Sequence, residues 1–405
     1  MRCGLLGEHL THSYSPQIHA LLGEYSYELF EVAPDALADF LRSDRFDCLN
    51  VTIPYKRAVV EFCATLSDAA RALGSVNTLV RRPDGTLHGE NTDLDGFRWL
   101  LERNGGVQSG EKALVLGTGG ASQTVQAVLR AAGAEVTVLS RRGEQNYSTL
   151  GAHADATLVV NATPVGMYPN NGARLIDLDL LPQCRCVLDL IYNPARTRLL
   201  LDAEERKIRR ENGLSMLVAQ AKRAAELFTG KMIPDAVCTD ILRTLEREMH
   251  NVILIGMPGC GKTSVGTLLA QRLGRPFFDA DTEIERHLGC TIPAFFAREG
   301  ENAFRAIETQ VLAELGKRSG CVIATGGGCV TRPENYELLH QNGTLVWLRR
   351  DLSALPVDGR PISRSRALSE LYREREPLYR RFADICVEND DTEAVVAEKI
   401  KELLL

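Results

Sequence analysis

Four groups of residues in this 405-residue chain have types and spacings that could do chemistry. The sharpest is GMPGCGKTS, in which Gly256 is followed by four residues, including Gly259, and then by Gly261, Lys262, Thr263 and Ser264. Glycines there let successive backbone N–H groups converge on one phosphate. Lys262 would offset β- and γ-phosphate charge, and the Thr263 hydroxyl would bind Mg²⁺. The second is VLGTGGASQTV, with Gly117, Gly119, Gly120 and Ala121, and Ser122 where a full G-x-G-x-x-G has its third glycine. Such a turn admits a dinucleotide pyrophosphate. Ser140, Arg141 and Arg142 end the next strand, where an NAD site would place an acid, so they favour the 2′-phosphate of NADP.

The third group combines acids and arginines. FFDADTEIE supplies Asp279 and Asp281, expected on one face of a strand end because strand periodicity is two. Arg305 and Glu308 lie three apart on a helix face, Gly326, Gly327 and Gly328 follow an apolar strand, and Arg375 lies in REREPLYRRFAD. One carboxylate beside arginines suits a small hydroxylated carboxylate accepting a phosphoryl group, and bidentate pairing explains arginine rather than lysine. The fourth group sets Lys56 and Asp93 among short uncharged hydrogen-bonders: Ser13, Ser15, Asn50, Thr52, Asn77, Asn91 and Thr92, with Asn161, Tyr192, Met216 and Gln220 further on. That set suits a polyhydroxylated ring undergoing proton-coupled reduction. Taken singly, each feature has a structural reading: Ser13 and Ser15 as helix N-caps, Lys56, Arg141 and Arg142 as surface cations, Arg305 and Glu308 as a surface pair.

These residues need elements to position them, and strand and helix signals alternate through nearly the whole chain, predicting an α/β fold. CLNVTI reads as a buried strand and PDALADFLRS as a helix with proline in its first turn. From about residue 111 come strand KALVLG, a helix, and strands EVTVLS, TLVVNAT and CVLDLIY. The helix carries Val125, Val128, Leu129 and Ala132 on one apolar face. After the helical run PDAVCTDILRTLEREM, strand NVILIG opens the phosphate loop, and Val265, Leu268, Leu269 and Leu273 give the next helix its buried face. The junction near His250 has no Gly/Ser or Pro-rich linker.

Length favours two or three domains. Apolar content of 44% and charged content of 25% are those of a globular protein, and a net charge of −6 gives no reason to expect nucleic acid. No apolar run would span a bilayer, and the first residues lack a signal-peptide pattern, so a cytosolic location is expected. Eleven scattered cysteines, with only Cys184 and Cys186 close, read as small apolar residues in a reducing compartment; Cys260 in the phosphate loop reads as filler.

Residues 251–405 together resemble shikimate kinase, a nucleoside-monophosphate-kinase-like P-loop fold. The resemblance implies that Asp281 binds the ring hydroxyls and serves as base, Arg305 and Arg375 clamp the carboxylate, Gly327 or a neighbour meets the ring, and Asp279 supports Mg²⁺. Arg360, in DGRPIS, would be the lid arginine closing over the phosphate, although the approach to it is shorter than usual. Residues 1–249 resemble shikimate dehydrogenase. That resemblance implies Lys56 and Asp93 as the catalytic pair, with Ser13, Ser15, Thr52, Asn77 and Gln220 binding substrate and Met216 and the main chain near Tyr192 packing on the nicotinamide. LLLDAEERKIRRENG is charged where a glycine-containing turn is expected.

The expected organisation is a substrate-binding domain of residues 1–95 and 214–249, an NADP-binding Rossmann domain of 96–213, and a P-loop kinase domain of 250–405. The resemblances imply a bifunctional enzyme that reduces 3-dehydroshikimate with NADPH and phosphorylates shikimate with ATP and Mg²⁺, as monomer or homodimer. Two alternatives stand beside it. One is a silent ligand-sensing homologue, which has no physical need for Lys56, Asp93, Lys262 and Asp281 together. The other is quinate as substrate of the first half.

Overall fold

A computed structural model of the chain describes residues 1–10, 13–142, 145–355 and 368–404. Arg360 lies outside the described residues. The chain forms two compact units, one of Met1–Val165, Arg174–Tyr192 and Asp202–Thr244, the other of Gly166–Ala173, Asn193–Leu201 and Leu245–Leu405.

The first unit contains two sheets. One orders its strands Ser26–Glu31, Arg2–Gly7, Cys48–Val51, Thr78–Arg81, Leu87–Glu90 and Cys63–Leu66, with antiparallel pairing on both sides of Thr78–Arg81 and parallel pairing elsewhere. Its core gathers Leu6, Phe40, Phe46, Leu49, Val51 and Leu79. PDALADFLRS forms a short 3₁₀ turn, Pro34–Ala36, running into helix Leu37–Arg42. The other sheet is wholly parallel, in the order Arg209–Glu211, Cys186–Asp189, Leu158–Asn161, Lys112–Leu116 and Glu135–Leu139. Strands buried on both faces read as continuous apolar runs, as LVVN and CVLD do. Helix Gly120–Ala131 covers this sheet with Val125, Val128 and Leu129, whereas Ala132 is exposed because it is the C-cap, where the helical period ends. Helices Asp93–Arg103 and Leu214–Thr229 pack along each other. Gly96 permits this, since a Cβ there would lie 2.7 Å from the Met216 carbonyl oxygen.

The charged turn in RKIRRENG adopts the geometry a glycine would have supplied. After helix Arg198–Glu205, Lys207 has φ of 57°, the sole positive value among described non-glycine residues, and its N–H donates to the Glu204 carbonyl at 2.9 Å.

The second unit is built on a parallel sheet ordered Phe277–Asp279, Val322–Ala324, Asn251–Ile255, Gly343–Arg349 and Ile385–Glu388. The chain moves to opposite sides of Asn251–Ile255, so the loop after that strand opens at the point where strand order reverses. In open α/β sheets this is where ligands bind. Val265 and Leu269 are fully buried, and Leu268 and Leu273 pack on the same core at partial burial. No helix among the described residues is long and apolar enough to cross a membrane.

Candidate active sites

In the second unit, Gly256, Gly259 and Gly261 all take positive φ (146°, 82° and 93°), so the phosphate loop curls in a way side chains oppose. Lys262 begins helix Lys262–Leu273, is 8% exposed, and donates from Nζ to the carbonyls of Gly256 and Met257 at 2.9 Å each. The helix N-terminus thereby faces the loop it would share with an anion. Asn389, absent from the sequence reading, buries its amide against the Cys260 carbonyl and braces the loop from the last strand. Its motif, VENDD, reads only as a polar turn, so no local signal could have found it.

Thr263 Oγ1 lies 2.7 Å from Asp279 Oδ2, joining two oxygens suited to Mg²⁺. Asp281 corrects an expectation. It stands in the first turn of helix Ala280–Leu288, not on the strand. Asp279 ends strand Phe277–Asp279 and caps this helix, accepting from the Asp281 N–H at 3.0 Å and the Thr282 N–H at 3.4 Å. Capping by a strand-terminal aspartate overrode the period of two.

Behind the loop lies a cavity of about 550 Å³ lined by Lys262, Thr263, Asp281, Arg305, Glu308, Gly327 and Arg375, among others. Arg305 and Glu308 are 6% and 1% exposed and pair at 2.7 Å, so this is a buried ion pair and not a surface one. Glu301 holds a second guanidinium nitrogen at 3.2 Å. Burial pushes the Glu308 carboxyl up, against the pull of Arg305. The Nε atoms of Arg305 and Arg375 and Glu308 Oε1 are buried without a hydrogen-bond partner among the described residues. The two arginine N–H donors, otherwise costly to leave unpaired, fit an acidic ligand.

The glycines of TGGGC admit these neighbours. A Cβ on Gly326 would stand 2.7 Å from Glu308 Oε1, one on Gly327 would stand 2.6 Å from Pro258, and one on Gly328 would overlap the Arg305 guanidinium. The Gly327 carbonyl accepts from Arg375 Nη1 at 3.1 Å and from the buried Tyr379 hydroxyl.

In the first unit, Lys56 Nζ donates to Asp93 Oδ2 at 2.6 Å, with the lysine side chain 33% exposed and the aspartate 10%. Asn77, 4% exposed, donates to Asp93 Oδ1 at 2.9 Å and lies 3.5 Å from Gln220 Oε1, while its own Oδ1 accepts the Thr92 N–H at 2.7 Å. A relay that the sequence did not reveal runs on from there. Thr78 Oγ1 donates to Asn77 Oδ1, Asn50 Nδ2 to Thr78 Oγ1, and the Tyr27 hydroxyl to Asn50 Oδ1. Tyr27 and Thr78 sit in strands where they read as ordinary alternating residues.

Ser15 is the first residue of helix Ser15–Leu22, Ser13 Oγ accepts its N–H at 3.2 Å, and Tyr14 holds the cap position, so neither serine caps the helix. Thr52 follows strand Cys48–Val51 and bonds through its N–H to the Leu6 carbonyl at 2.9 Å.

At the parallel sheet, Gly117 has φ of 104°, and a Cβ there would meet Thr163 at 2.7 Å. Ser122 Oγ donates to the Gly117 carbonyl at 2.6 Å, so the serine in the third-glycine position closes the turn. Gly119 and Gly120 face open space, exposed like Ala121, and leave a cradle at the helix N-terminus. Arg141 and Arg142 are exposed just beyond strand Glu135–Leu139, and Ser140 Oγ donates to the Arg142 carbonyl at 2.6 Å. These residues fit a phosphorylated dinucleotide. Met216 is 9% exposed and packs with Phe97 and Leu100, and Tyr192 meets Tyr14 edge-on at 6.1 Å.

Residues 258–405 match the shikimate kinase family, 5–79 the shikimate dehydrogenase substrate-binding domain and 213–243 the shikimate 5′-dehydrogenase C-terminal domain. The shikimate dehydrogenase (NADP⁺) of Methanopyrus kandleri is 38% identical over 57% of this chain and 91% of its own length. The shikimate kinase of Burkholderia thailandensis is 45% identical over 35% of this chain and 83% of its own. The crystal structure of shikimate 5-dehydrogenase from Thermus thermophilus, in complex with NADP(H) and shikimate, superposes with a TM-score of 0.55 at 33% identity. The match covers 60% of this chain and 99% of that one.

Proposed function

Because the chain belongs to the shikimate dehydrogenase family over its first part and to the shikimate kinase family over its last, we propose that it performs two consecutive reactions. The first part reduces 3-dehydroshikimate to shikimate with NADPH, and the second phosphorylates the oxygen of the hydroxyl just formed, using ATP and Mg²⁺. Residues 1–95 and 214–249 form the substrate domain of the reductase, 96–213 its NADP domain and 250–405 the kinase. The observation that carries the reading is the Lys56–Asp93 contact at 2.6 Å, an intact acid for the reduction in the same chain as an intact phosphate loop.

Bound NADPH supplies the hydride. Lys56 meets the oxygen that turns from carbonyl to alkoxide, stabilises its charge and gives it a proton. Asp93 orients the ammonium through Oδ2. Asn77 occupies Asp93 Oδ1 and leaves Oδ2 to the lysine. Ser13, Ser15, Thr52 and Gln220 bind the carboxylate and hydroxyls of the ring. Gly117, Gly119, Gly120 and Ala121 take the pyrophosphate, Ser140, Arg141 and Arg142 the 2′-phosphate, and Met216 with the main chain near Tyr192 the nicotinamide.

In the kinase, Arg305 and Arg375 clamp the carboxylate, Gly327 meets the ring, and Asp281 takes the proton from the attacking hydroxyl. Gly256, Gly259, Gly261, Lys262, Thr263 and Ser264 hold the triphosphate, with Thr263 and Asp279 on Mg²⁺ and Arg360 closing over the phosphate. The eleven cysteines are all unbridged, in keeping with the cytosol.

One coupled assay tests the reading: 3-dehydroshikimate, NADPH, ATP and Mg²⁺ with the whole chain, following NADPH absorbance and ADP together. ADP should appear mole for mole with NADPH consumed, after a lag while shikimate accumulates. NADPH loss without ADP, or neither, defeats it; quinate with NADP⁺ measured alongside should turn over far more slowly than shikimate.

A further inference from the structure

Helix Leu368–Phe382 sends two side chains to one backbone atom. Arg375 and Tyr379 stand four residues apart and so share a face of it. Arg375 Nη1 donates to the Gly327 carbonyl at 3.1 Å, and the Tyr379 hydroxyl donates to the same oxygen. A carbonyl oxygen has two lone pairs, and here both are taken. Arg375 lines the acceptor cavity, and its Nε is buried with no hydrogen-bond partner among the described residues. One nitrogen of the guanidinium is thus tied to the protein while another donor is left for an acidic ligand.

Tyr379, unlike Arg375, is fully buried and is not among the residues lining the cavity. Its ring stacks on buried Trp347, with centroids 5.8 Å apart and planes at 21°. Met257 Sδ, in the phosphate loop, stands 3.9 Å from the hydroxyl oxygen. A ring packed this closely keeps its hydroxyl at one point. Burial pushes the phenol well above its ordinary value, against the pull of Arg375, so the oxygen keeps its proton and remains a donor. The segment that receives this donor has little stiffness of its own, because Gly326, Gly327 and Gly328 are three glycines in succession. It takes its shape from what it touches: Gly327 lies against Pro258 and Gly328 against the Arg305 guanidinium. A trans peptide carries its N–H opposite its C=O, so the Tyr379 contact also fixes where the Gly328 N–H points.

We infer, resting on the functional reading above, that Tyr379 is a positioning residue for phosphoryl transfer: by holding the Gly327 carbonyl it sets the Arg375 guanidinium that meets the acceptor's carboxylate. Without the hydroxyl that carbonyl keeps one partner, the glycine segment is free to turn, and Arg375 turns with it. A guanidinium recognises a carboxylate through N–H groups in a fixed fork, so a small rotation loses part of the contact. The loss falls on the charged end of the acceptor. The triphosphate side is spared, since Lys262 is held by the carbonyls of Gly256 and Met257 and not by Gly327.

The test uses the full chain with Tyr379→Phe, Arg375→Met and the double variant, measuring kcat and KM for shikimate, for its uncharged methyl ester and for ATP. Tyr379→Phe should raise KM for shikimate about tenfold, the worth of one buried hydrogen bond, with kcat nearly level. KM for the ester and for ATP should stay within twofold of wild type, because neither ligand presents a carboxylate to Arg375. Added to Arg375→Met, Tyr379→Phe should cost nothing further, as for two residues acting through one contact. Should turnover of Tyr379→Phe fall too low to follow, calorimetric binding of shikimate and of the ester reads the same two ratios. A shikimate constant within twofold of wild type overturns the inference while leaving the bifunctional reading intact. So does an equal rise for shikimate, ester and ATP, which is the mark of general loosening, and so do additive losses in the double variant. A wild-type chain that fails to phosphorylate shikimate removes the reading and this inference with it.

Discussion

Lys56 and Asp93, 37 residues apart in the chain, meet at 2.6 Å, and Asn77 fixes the carboxylate from its other oxygen. The contact joins a lysine beyond strand Cys48–Val51 to the first residue of helix Asp93–Arg103. Strand Thr78–Arg81, which pairs directly with Cys48–Val51, begins one residue after Asn77 and so carries the amide to the pair.

Replacing either charged centre should separate the two activities. Lys56→Ala should lower NADPH-dependent reduction by about 10²–10⁴-fold, the usual contribution of a positioned acid, and leave phosphorylation of added shikimate unchanged. Lys262→Ala should do the reverse. A folded single mutant that lost both activities would show that the sites are not independent.

Arg141→Asp places an acid where a 2′-phosphate would sit. KM for NADPH should rise by one to two orders of magnitude, the size expected when a charge-assisted contact becomes repulsive, while KM for NADH stays level or falls. An unchanged ratio of the two would remove Arg141 from the cofactor site.

Lys207→Gly should stabilise the reductase part by roughly 0.5–1 kcal/mol, because relief of a left-handed side chain exceeds the added freedom of the unfolded glycine. The urea midpoint of that part should move up. A lower midpoint would mean that the lysine side chain contributes more than its backbone costs.

Burial holds His19 down to about 3, with its ring stacked on Tyr27 at 4.0 Å and Nδ1 2.7 Å from the Tyr25 hydroxyl. His250 is held to about 4, by burial first and then by Arg196 and Arg275. In each case the unfolded chain takes a proton near pH 6.5 that the fold refuses. Stability is therefore full above that pH and declines as pH falls toward the folded values, by about 1.4 kcal/mol per pH unit for each histidine. Urea midpoints between pH 7 and 4.5 should fall accordingly, and His19→Gln should flatten the decline for the part that carries it.

Much of this was legible in the chain because it is local. The curl of Gly256–Thr263, the strand before it and the helix after it depend on neighbours in sequence, and so does the dinucleotide turn at Gly117. The apolar face of Val125, Val128 and Leu129 was equally plain. The places where sequence reasoning failed are those where one local preference met another. Asp281 left the strand because Asp279 capped a helix, and Ala132 left the buried face because the helix had ended.

By itself, then, the sequence determined that two phosphate-binding backbones of different design exist here and which charged residues accompany them. Only the tertiary structure decided which partners those charges keep: Asn77 on Asp93, Asn389 beneath the phosphate loop, Arg305 buried on Glu308, and Arg196 on the carbonyls of His340 and Gly343. The physical reason is the range of the forces that set them. Backbone preference and periodicity act over a few residues, whereas a buried polar group takes its partner from whatever segment the sheet order brings alongside.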